Sequence, residues 1–95
     1  MEEDRRIAQR ISFDSAVRYR KKGTEIYSDT VGKNISNIGI GFISNEFISK
    51  HSNLIFEIRL PWRSETMQIL TEVVWVSSQP YSERFEIGAK FLNPL

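Results

Sequence analysis

Two short polar runs carry the chemistry in this chain. Arg5-Arg6-Ile7-Ala8-Gln9-Arg10 sets three guanidinium groups near its start, and Asn34-Ile35-Ser36-Asn37-Ile38-Gly39 begins 24 positions after Arg10. Arginine's planar fork of donors grips phosphate oxygens, or the O6/N7 edge of guanine, with paired hydrogen bonds. It also lies flat on a purine. Asn34 and Ser36 are two apart, so on a strand their side chains point the same way. Gly39 leaves bare backbone for a sharp corner or a close approach. An Asn oxygen accepts from a ligand N–H donor, so the two runs suit an anionic ligand with a polar, hydrogen-bonding edge. Each run also has an ordinary reading when taken alone. The arginines make a charged terminus balanced by Glu2, Glu3 and Asp4, and Asn, Ser and Gly make a turn for conformational reasons.

The elements that must hold these residues read as strands. Residues 1–11 are polar, arginine-rich and without period, a flexible arm. Phe13, Val17 and Tyr19 alternate with Asp14, Arg18 and Arg20, a first strand with one wet face, and Lys21-Lys22-Gly23 marks a turn. Residues 24–36 are rich in Thr, Tyr, Val and Ile and read as a long second strand. Gly39 to Ile43 begins a third, and a single helical turn or loop is expected around Glu46–His51. Leu54, Phe56, Ile58 and Leu60 alternate with Ile55, Glu57 and Arg59, a half-buried strand ended by Pro61. From Met67 to Ser77, Leu70, Glu72, Val74 and Val76 share one face, and Thr71, Val73 and Trp75 the other. Phe85, Ile87, Ala89 and Phe91 close the series. About six strands at near-regular spacing, with almost no helix signal, predict an all-β fold, a small antiparallel barrel or sandwich. A six-stranded antiparallel β-barrel over residues 12–92 is preferred because a barrel leaves no exposed edges.

Composition narrows the function classes. The chain has 95 residues, enough for one domain with one modest core. It has no cysteine and one histidine, which removes disulfides, thiol nucleophiles and the usual zinc sites. His51 sits in a polar stretch without metal-ligand neighbours, and no Ser-His-Asp set or carboxylate-held metal can be assembled from what is present. The chain is therefore read as a non-enzyme with no metal or cofactor. No apolar run is long enough to span a bilayer, and the charged start lacks the apolar core of a secretory signal. A cytoplasmic protein without membrane insertion is the expectation. Net charge is +1, yet seven of the 13 basic residues fall between Arg5 and Lys22, which favours an anionic partner at that end.

Arg5-Arg6-xxx-Arg10 followed by Asn34-x-Ser36-xx-Gly39 resembles the RRxxxR and [D/N]xSxxG motifs of the PilZ domain, the bacterial receptor module for cyclic di-GMP. Ile87-Gly88-Ala89-Lys90-Phe91 resembles the family's closing strand and Val74-Trp75-Val76 the strand before it, so the resemblance runs from Arg5 to about Leu92. It implies a split-barrel fold, with cyclic di-GMP held by Arg5, Arg6, Arg10, Asn34, Ser36 and Gly39. It further implies an arm that orders over the ligand, a downstream protein partner, and an intercalated ligand dimer favoured by Arg5. The family often has Asp where Asn34 stands. A carboxylate accepts from both guanine donors and an amide oxygen cannot, so weaker affinity than in an Asp-bearing relative is expected.

Other residues keep two readings. Trp75, flanked by Val74 and Val76, reads as core in preference to a stacking platform. Arg18 and Arg20 extend a phosphate-binding surface or are solvated charges, and Trp62 suits a protein contact if exposed. The alternative to a receptor is a PilZ-like adaptor that binds no nucleotide and serves pilus, flagellar or polysaccharide-synthesis complexes. A nucleic-acid-binding barrel is disfavoured by the near-zero net charge. The chain reads as a stand-alone product, monomer or dimer, in motility, adhesion or biofilm control.

Overall fold

Tyr19, Phe42 and Phe56, one from each of three strands, meet at the centre of a closed barrel. Their ring centroids are 4.9 to 5.4 Å apart, with Phe42 and Phe56 edge-on at 73°. The computed structural model describes residues 11–59 and 65–92. Its strands are β1 (Ile11–Lys21), β2 (Ser28–Ile35), β3 (Gly39–Ser44), β4 (Asn53–Arg59), β5 (Thr66–Ser78) and β6 (Phe85–Phe91). Every pairing is antiparallel, in the order β1-β2-β3-β6-β5-β4, and β4 returns to β1. Of the barrel and the sandwich that the strand pattern allowed, the six-stranded antiparallel barrel is the fold observed. Closure pairs each strand on both sides, so no long edge is left to template aggregation in a chain rich in Val, Ile and Phe.

The alternation works as expected on β4, where Leu54, Phe56 and Ile58 are buried between half-buried or exposed neighbours. On β6, Ile87, Ala89 and Phe91 face inward. Thr71 is a polar member of the core, and its hydroxyl donates to the Leu54 carbonyl at 3.0 Å, so it carries no unsatisfied donor.

Two expectations are corrected and one is resolved. The second strand begins at Ser28 and not at residue 24. Gly23 adopts φ 92°, and Thr24 returns both its backbone N–H and its hydroxyl to the Lys21 carbonyl, which spends residues 24–27 on the turn. Of the helical turn or loop expected around Glu46–His51, the structure forms the loop. Ser44 Oγ caps the loop by accepting from Glu46 N–H and donating to its carbonyl, and Ile48 drops into the barrel as a buried plug. His51 and Ser52 then pair with both sides of the Val73 backbone. Finally, the two faces of β5 exchange partway along. A bulge between Val73 and Trp75 turns Val76 toward the core and Trp75 outward. Leu60, Pro61 and Trp62 lie outside the described residues.

Candidate functional site

Four residues in a row across the outer wall define a shallow trough: Asn34 on β2, Gly41 on β3, Gly88 on β6 and Trp75 on β5. Each is the register partner of the next. The two glycines form the floor, and Lys90 and Gly39 line the lower rim. The trough holds about 130 Å³. Its walls are the two end residues lying inward over the floor. The Asn34 amide rests on Gly41, where an added Cβ would sit 3.0 Å from Oδ1, and the Trp75 indole rests on Gly88.

Both end residues face outward because of β-bulges. Ser28, Thr30 and Gly32 follow the inward side of β2, and strict alternation would send Asn34 into the core. The irregularity between Gly32 and Asn34 makes Lys33 the extra residue, so Ile35 turns inward and Asn34 outward. On β5, Ile69, Thr71 and Val73 are buried, and Trp75 would follow them without the extra residue Val74. Trp75 is instead 42% exposed, which corrects its reading as core. One face of the indole is against Gly88, leaving an aromatic surface at the trough's edge of the kind on which bases stack.

Ser36 builds the corner. Its N–H donates to the Gly39 carbonyl at 3.0 Å, and its Oγ accepts from Ile38 N–H at 3.2 Å, so its hydroxyl hydrogen is not spent in that turn. Gly39 serves contact with the barrel. A Cβ there would lie 2.6 Å from the Ala89 carbonyl oxygen, so the residue lets β3 close against β6.

Arg5, Arg6 and Arg10 lie outside the described residues. The strand that follows them does not. Ile11 pairs with Ile35 and Ser12 with Asn34, so β1–β2 register starts the first strand beside the Asn34–Ser36 corner. Arg10 is one peptide bond before Ile11.

Arg18 and Arg20 have structural partners away from the trough. Arg18 Nε pairs with Glu57 at 2.6 Å, and its guanidinium lies 4.1 Å from the Tyr27 ring centroid. Arg20 donates to the Thr24 carbonyl at 2.9 Å. The Arg18 bond, then the Gln68 bond, holds the Glu57 carboxyl below its ordinary range. A larger polar cleft of about 600 Å³ opens where β2 and β3 part. It carries Asp29, Glu46 and Arg84 together, so it selects neither sign of ligand charge. The Tyr19 phenol at its base is pushed up by burial and is engaged with Ser44 and Glu46. Among the described residues no group of acidic or histidine side chains is arranged to hold a metal ion, and no helix is long and apolar enough to cross a membrane.

The fold and the trough together define a small closed barrel with a shallow groove on its outer wall. The PilZ domain model matches residues 4–95, and the chain belongs to the PilZ family, whose members are cyclic di-GMP receptors and adaptors and not enzymes. The Bacillus subtilis inhibitor of motility, MotI/DgrA, is a structural neighbour with a TM-score of 0.72 and 24% identity, over 95% of this chain. The chain spans 44% of the length of that neighbour. A search of curated protein sequences finds no match.

Proposed function

We propose that this domain is a cyclic di-GMP receptor. A guanine packs into the trough between Asn34 and Trp75, Ser36 supports the corner, and Arg5, Arg6 and Arg10 close over the phosphates from the adjacent end of β1. Ordering of the arm then changes the surface met by a protein partner. The observation that carries this reading is the outward turn of Asn34 and Trp75 over a glycine floor, beside the point where β1 begins. A core-only role for either residue would have no use for its bulge. The name of the MotI/DgrA neighbour makes motility the first downstream process to test.

Calorimetric titration with cyclic di-GMP tests the proposal. The wild type is expected to bind, and Trp75→Ala to bind roughly tenfold more weakly while melting normally, since a stacked base is worth about 1–3 kcal/mol. No heat from a folded wild type would overturn the receptor reading and leave the adaptor. Asn34→Asp is expected to bind more tightly in the same titration, because a carboxylate takes both guanine donors. Unchanged or poorer binding would remove Asn34 from the guanine edge.

A further inference from the structure

Lys90 is an unassigned cation at the trough. It follows Gly88 on the outward side of β6, at the lower rim, and its register partner on β5 is Glu72. The Lys90 ammonium lies 3.9 Å from Glu72 Oε1. The other oxygen, Oε2, is 2.9 Å from His51 Nδ1. His51 is itself anchored, its backbone N–H donating to the Val73 carbonyl at 2.8 Å, so the imidazole meets Glu72 from a fixed loop. Asn53, the register partner of Glu72 on β4, spends its amide on the Thr71 carbonyl and brings no charge. The carboxylate is thus held from one side and faces Lys90 with the other. The His51 bond, ahead of the Lys90 charge, holds the Glu72 carboxyl below its ordinary range.

We propose that Lys90 is a phosphate-holding residue of the trough and that Glu72, fixed by His51, sets ligand affinity by competing for it. This rests on the cyclic di-GMP reading above and adds two residues that neither motif contains. An anionic ligand arriving at the trough must draw Lys90 away from Glu72, and the carboxylate also repels the incoming phosphate. Both effects have one sign, so neutralising Glu72 strengthens binding. Only the competition runs through Lys90.

A double-mutant cycle separates these effects. Cyclic di-GMP is titrated into wild type, Glu72→Gln, Lys90→Gln and the double variant at low salt, with thermal melts to show that each is folded. Glu72→Gln is expected to tighten binding about three-fold, the scale of an exposed ion pair. Lys90→Gln weakens it by a similar factor, and most of the Glu72→Gln gain disappears in the Lys90→Gln background. Glu25→Gln, the same charge change in the β1–β2 connection, leaves affinity unchanged. Equal gains in both backgrounds, or no gain at all, would overturn the competition. A wild type that does not bind would instead remove the receptor reading beneath it.

Discussion

Replacing Arg6 and Arg10 together with alanine is expected to abolish cyclic di-GMP binding in a protein that still folds. Hydrogen bonds to charged groups are each worth about 1.5–3 kcal/mol. Losing two such partners removes about 3–6 kcal/mol, a fall in affinity of about 10²–10⁴. The fold should survive because the barrel is closed by pairs that begin at Ile11: β1 meets β2 from Ile11↔Ile35 onward and meets β4 between Arg18↔Glu57 and Lys21↔Leu54. Calorimetry with a thermal melt reads both halves of this expectation. In the wild type the same titration gives stoichiometry, and two ligands per chain would fit the intercalated dimer that Arg5 favours. A double variant that binds as well as the wild type would exclude the arm from the site.

Strand number was legible because Leu54-x-Phe56-x-Ile58 and Ile87-x-Ala89-x-Phe91 alternate cleanly, and turn residues separate them. Closure was not, because the same one-sided burial suits a barrel and a sandwich. The corner was legible because Asn, Ser and Gly are turn formers, whatever further use the motif has. Trp75 was not. A bulge adds one residue without a residue type of its own, and alternation carried past Val74 puts Trp75 on the buried side. The same shift at Lys33 went unseen but did no harm, since Asn34 was placed by its motif and not by its face. Residues 24–27 have strand-forming composition and were lost to Gly23 and the Thr24 bonds, a conformational demand that Thr, Ile and Tyr do not reveal. Lys90 could not be singled out because a lone lysine on an alternating strand looks like any solvated position. Only the register that sets it against Glu72, and sets Glu72 near His51, gives it a context.

The glycines of this wall divide into two kinds, and alanine at each should separate them. At Gly39 a Cβ would press on the Ala89 carbonyl at 2.6 Å and lie 3.3 Å from Lys90 Cα, both backbone atoms that cannot rotate aside. Relief requires β3 and β6 to part beside Ile40 and Ala89, which are buried. Overpacking of this kind costs about 1–3 kcal/mol, and at about 4–8 °C per kcal/mol for a domain of this size the melting temperature should fall by about 4–24 °C for Gly39→Ala. At Gly88 the new methyl would overlap Nε1 and Cε2 of the Trp75 indole, a side chain already 42% exposed and free to swing outward. Gly88→Ala should therefore melt close to the wild type and yet bind cyclic di-GMP about as poorly as Trp75→Ala, since the stacking surface has left the trough. Melting curves and titrations on the two variants decide the matter. Equal melting shifts would mean that the indole is as fixed as the backbone, and full binding by Gly88→Ala would show that the ligand does not need the indole over that glycine.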